Sequence, residues 1–166
     1  MTDDIYISYT DNGFLHSFSA TQEADGTWNV HFLVMQIQDQ DKAYLGEYTK
    51  FRKQVMRRLK ALELLDQRQI IDQVDSAYIK VIQSFLTRYV ARIHINKPKG
   101  VSLYDYGQKI ITKVQEIIDQ FDIDLRVTRV YQPGKVAFHF TWNGDIVASY
   151  YINKHSNTDH LDTSMR

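Results

Sequence analysis

Six histidines, His16, His31, His94, His139, His155 and His160, are side chains able to transfer protons near neutral pH or to ligate a metal. Two stand in similar surroundings, His31 in "NVHFLV" and His139 in "AFHFTW". Side chains of a strand alternate between faces, which puts Val136, Phe138, Phe140 and Trp142 on one side and Ala137, His139 and Thr141 on the other. Alternation in the neighbouring runs adds Arg126, Thr128, Ser149 and Tyr151 to the second side. A cation, an imidazole, hydroxyls and an aromatic ring are the groups that orient a small anion. Arg126, Thr128, His139, Thr141 and Tyr151 therefore form a candidate ligand face, for binding or for catalysis. A solvated antiparallel sheet carries the same residue types for β propensity alone. His31 and His139 with a carboxylate could ligate a metal, but nothing in the sequence brings them together, and neither metal nor cofactor is expected.

Other chemistry is thinly represented. The chain has no Cys, which excludes disulfides, thiolate catalysis and thiolate metal sites and favours a reducing, cytoplasmic setting. There is no phosphate-binding loop, dinucleotide fingerprint, nucleophile elbow or zinc-protease helix motif. No catalytic residue is assigned, and the reading leans away from an enzyme.

The second candidate site is electrostatic. The stretch "KFRKQVMRRLK", residues 50–60, concentrates six cations in a chain whose formal net charge is zero. Residues 1–41 hold seven acidic side chains (Asp3, Asp4, Asp11, Glu23, Asp25, Asp39, Asp41) and no Lys or Arg, whereas residues 42–100 hold thirteen basic and five acidic ones. A helix advances about 100° per residue, so Lys50, Lys53, Arg57 and Lys60 make a stripe opposite Phe51, Val55, Leu59 and Leu62. The flanking Arg52 and Arg58 can lay their stems along the apolar edge and reach water with their charges. Three uses compete for the stripe: an ordinary solvated face, a surface neutralised by the acidic first segment of the same or a second copy, and a track for nucleic acid. The neutral pI and the acidic start count against a long polyanion.

The elements that must position these residues follow from periodicity and turn chemistry. Asn12-Gly13, Asp25-Gly26 and Asn143-Gly144 are hairpin signals, and Pro133-Gly134 is a further turn. They separate β-rich runs at 5–10, 14–21, 27–38, 125–131, 135–142 and 145–152, which predicts a three-stranded meander at each end. Between them, apolar spacing predicts helices over 42–65, from Ile71 towards Pro98, and from an N-cap at Ser102 to about Phe121. The expected fold is α+β, two three-stranded antiparallel meanders with a central layer of about three helices, as one domain over 1–153 and an unstructured tail over 154–166. No stretch nears the roughly 20 apolar residues needed to cross a bilayer, so no membrane association is expected. The expected function is a small cytoplasmic binding or adaptor protein acting through protein contacts, itself included as a homo-oligomer. Nucleic-acid binding on the basic helix and small-ligand chemistry around Arg126 and His139 are the alternatives.

Overall fold

A computed structural model describes residues 4–36, 44–63 and 67–164. Asp3, Asp39, Asp41 and the outer ends predicted for the third strand (37–38) and first helix (42–43 and 64–65) lie outside the described residues. The class is α+β with two antiparallel sheets. The chain divides into two compact units, 1–81 and 82–166.

In the first unit, β1 (Ile5–Asp11), β2 (Phe14–Gln22) and β3 (Trp28–Gln36) form a meander in the order β1-β2-β3. The β1–β2 turn is tight because Asn12 and Gly13 both take positive φ, 53° and 81°, the conformation that matches strand twist. Asp25-Gly26 departs from the two-residue turn its composition implies. The Asp25 carboxylate accepts from the Thr27 N–H (3.0 Å) and hydroxyl (2.6 Å), and Glu23 N–H donates to the Thr27 carbonyl, which lengthens the loop to residues 23–27.

Helix α1 (Tyr44–Leu62) lies on this sheet through Leu45, Tyr48, Phe51, Val55 and Leu59, all buried. Phe51 stacks on Phe32 (ring centroids 5.4 Å apart, planes at 10°) and meets His16 and Tyr9 with its edge. Only the first part of helix α2 (Gln67–Asn96) belongs to this unit. Arg52 on α1 donates to Asp75 on α2 at 2.8 Å, and Thr49 Oγ1 shares a hydrogen bond with Tyr78 Oη at 2.6 Å. Arg52 is thus drawn into an ion pair instead of reaching water, because Asp75 gives its guanidinium a charge-assisted partner. Burial pushes the Tyr78 phenol up to about 12.

Inside this apolar layer sits one ionisable pair. His16 (1% exposed) points from β2 to Glu47 (5% exposed) on α1, with Nε2 and Oε2 3.0 Å apart. Its ring stacks on Tyr9 with centroids 4.4 Å apart, and Lys50 Nζ lies 3.7 Å from the other Glu47 oxygen. His16 Nδ1 is buried with no hydrogen-bond partner. The tautomer with hydrogen on Nε2 therefore suits the site: it donates to Glu47 and leaves only an acceptor lone pair unsatisfied.

The second unit holds the rest of α2, helix α3 (Leu103–Ile118), a short 3₁₀ turn (Asp119–Phe121) and a four-stranded sheet. Its strands β4 (Leu125–Gln132), β5 (Lys135–Trp142), β6 (Asp145–Asn153) and β7 (Thr158–Asp162) pair in sequence order. Ser102 caps α3, its hydroxyl accepting from the Asp105 N–H at 3.1 Å, as the Ser-x-x-Asp spacing predicts. α3 covers the face bearing Phe138, Tyr150 and Ile152. Gly107 permits that approach, since a Cβ there would stand 2.5 Å from Ile152 Cδ1. The C-terminal sheet thus has four strands, not three. β7 lies in residues expected to be an unstructured tail; it pairs along β6 through its backbone, so it needs no apolar period. Arg92–Ile95, ambiguous between helix and strand in sequence, is helical, and α2 stops at Asn96 ahead of Pro98.

The buried pair supports a double-mutant prediction. His16→Leu alone leaves Glu47 without its closest partner and is expected to destabilise the protein by about 3–5 kcal/mol in urea unfolding. His16→Leu with Glu47→Leu should lose less than His16→Leu alone; strictly additive losses would show that the groups do not interact.

Candidate functional site

Cross-strand register decides which of the sequence candidates meet. Thr128, His139, Ser149 and Asp162 form one row across β4, β5, β6 and β7. Arg126 and Thr141 occupy the row on one side, and Ala137, Tyr151 and His160 the row on the other. His139 Nδ1 and Ser149 Oγ are 2.7 Å apart, and the His139 ring meets Tyr151 edge-on at 6.1 Å. Arg126 does not converge on them, because its Nε donates to Asp124 at 3.2 Å.

A serine, a histidine and an aspartate in one row invite comparison with a nucleophile, base and orienter. The order is wrong for it. A base must stand between nucleophile and carboxylate, whereas here Ser149 is flanked by His139 and Asp162. Asp162 is engaged by the Ser164 hydroxyl and N–H, which hold its carboxyl below the usual range. Ser149 is fully buried, closed to an acyl or phosphoryl substrate.

The α3 side of the sheet brings together residues that sequence reasoning missed. Asp159 Oδ2 lies 2.7 Å from His94 Nε2 on α2 and accepts from the Tyr150 hydroxyl at 2.6 Å. Burial first, and then the Asp159 carboxylate, raise the Tyr150 phenol well above its ordinary value. Asp159 lies in a stretch with no apolar period, and its only sequence signal is the alternation of Asp159 and Leu161 against His160 and Asp162. Between α3 and β4, a cavity of 180 Å³ is lined by Ile111, Thr112, Gln115, Val127, Arg129 and Phe138. Arg129 stretches across its mouth, donating to Thr112 and to the Tyr131 hydroxyl, both at 3.0 Å, and lying over Phe138.

The electrostatic candidate belongs to the first unit. Lys50, Lys53, Arg57 and Lys60 are all exposed on α1. The sheet packs against the opposite, apolar side of the helix, so the acidic meander supports α1 without lying over the stripe. Asp4, Glu23 and Asp25 are exposed at one end of that sheet, where β1 begins and β2 turns into β3. The Thr27 hydroxyl, followed by the Thr27 N–H, holds the Asp25 carboxyl below the usual range. On the outer face of the sheet, Tyr6, Leu33 and Met35 are exposed apolar side chains.

No group of three or more metal-ligating side chains occurs among the described residues, and no described helix is long and apolar enough to cross a membrane. The chain matches no family model, no curated protein and no solved structure.

The buried Ser149 gives a direct test of the row's chemistry. A fluorophosphonate probe is expected to leave Ser149 unmodified by peptide mass mapping; labelling that disappears in His139→Ala would establish an activated serine.

Proposed function

We propose that the protein is a binding module, regulatory or adaptor in kind and without catalysis of its own, and that its first unit associates with a second copy of the chain. The observation that carries this reading is the placement of charge within that unit. Four exposed cations run along the side of α1 turned away from the sheet, and three exposed acids, Asp4, Glu23 and Asp25, cluster at one end of the sheet, with Asp11 at the other. One copy keeps these surfaces apart, whereas two copies related by a twofold axis can join stripe to acidic end twice. The second copy fits the charges better than a nucleic acid does, because the same acidic end repels a polyanion. A cytoplasmic setting, expected from the Cys-free sequence, remains part of this proposal.

Light scattering checks it. The expected result is a dimer at low salt that dissociates towards 1 M salt, where screening shortens to about 3 Å, and a Lys53→Glu, Arg57→Glu variant that is monomeric throughout. A monomer under both conditions would overturn the proposal. If nucleic acid were the occupant, a mobility shift at low salt would appear and vanish in the same variant.

A further inference from the structure

The end of the second sheet opposite Arg126 carries a groove over β5, β6 and β7, outside the His139 row and outside the first unit. Its volume is 310 Å³, and Lys135, Tyr151, Asn153, Thr158, Asp159 and His160 line it. Two neighbouring cross-strand rows organise it. In one, Tyr151 on β6 pairs with His160 on β7, and their rings are nearly parallel, with planes at 14° and centroids 6.5 Å apart. In the other, Lys135, Asn153 and Thr158 are register partners across the same strands. The Lys135 ammonium stands 4.8 Å from the Tyr151 ring centroid.

Each row has a chemical preference. Atoms in van der Waals contact sit about 3.5–4.0 Å apart, so a flat ring held between two others needs a centroid spacing of about 7 Å. The spacing of 6.5 Å falls short of that by about half an ångström, which a small rotation of the exposed His160 supplies. The adjoining row offers the Lys135 ammonium, the Asn153 amide N–H₂ and the Thr158 hydroxyl. The Asn153 side-chain oxygen accepts from the His155 and Ser156 N–H groups, and the Thr158 hydroxyl shares a hydrogen bond with Ser156. The Asp159 carboxylate that also lines the groove is held by His94 and Tyr150. An ammonium, an amide N–H and a hydroxyl are groups that hold a phosphate or carboxylate. Ala137, the register partner of Tyr151 on β5, is small, and the tyrosine's larger neighbours on that strand are His139, edge-on at 6.1 Å, and Lys135.

From this arrangement we infer that the groove binds a small planar aromatic anion, with the ring between Tyr151 and His160 and the anionic group on Lys135, Asn153 and Thr158. A nucleoside monophosphate and an aryl phosphate share this chemistry. Binding here is independent of self-association by the first unit, so either can fail without the other.

The experiment is calorimetric titration of the full chain with AMP, naphthyl phosphate, adenosine and inorganic phosphate. The expected result is binding of one or both aromatic phosphates, with adenosine and phosphate alone weaker by about tenfold or more. Tyr151→Ala should weaken binding by about tenfold, and so should Lys135→Met and His160→Ala, two substitutions at the groove rim that spare the core. Circular dichroism confirms that each variant is folded. AMP binding without naphthyl phosphate binding places a nucleotide in the groove, and the reverse places a simple aryl anion. The inference is overturned if neither aromatic phosphate binds, if inorganic phosphate binds as tightly as they do, or if the folded Lys135→Met and His160→Ala variants bind unchanged.

Discussion

The contact of Phe51 with Phe32 and His16 sets the rotation of α1, and much of the first unit depends on that setting. A helix seated by aromatic rings with centroids just over 5 Å apart has little freedom to roll, because a close-packed interior resists even small changes of shape. With Phe51 inward, Glu47 meets His16 and Arg52 meets Asp75. The same setting turns Lys50, Lys53, Arg57 and Lys60 outward. The cationic surface is thus a consequence of the apolar one: the helix has two sides, and the rings claim one of them.

The second unit is governed by register. Pairing by backbone hydrogen bonds aligns side chains in rows, and adjacent rows on one face have different chemistry. In the Thr128, His139, Ser149 and Asp162 row, His139 bonds to a buried Ser149, while the Tyr151 and His160 row opens into a groove. The opposite face is committed to packing under α3, where Gly107 allows a distance at which any side chain would collide. A hydroxyl, an imidazole or a carboxylate in this sheet gains its role from its row as much as from its type.

Much of this was legible in the sequence because it rests on local rules. Asn-Gly turns, the Ser102 cap, the apolar spacing of α1 and the alternation in β4, β5 and β6 each report on residues close together in the chain. What escaped depends on partners distant in sequence. β7 has one apolar residue in five, and its place is decided by pairing with β6 and by the bond from Tyr150 to Asp159. The pair of His16 and Glu47 joins a strand residue to a helix residue 31 positions away, and no spacing rule spans that interval. Candidate site residues were legible as members of a face, whereas their rows required the register. Arg126 shows the difference, sharing the face of His139 but bonding to Asp124.

The central claim, that charge separated within one copy is joined between two, is tested most directly by a charge swap. One variant carries Lys53→Glu, Arg57→Glu and Lys60→Glu, which turns the stripe net negative, the other Asp4→Lys with Glu23→Lys, which turns the acidic end net positive, and each alone presents two surfaces of the same sign. Sedimentation equilibrium at low salt should find each variant monomeric and their equimolar mixture dimeric, since both contacts then join opposite charges. A mixture that stays monomeric, or a single variant that still dimerises, would contradict the account.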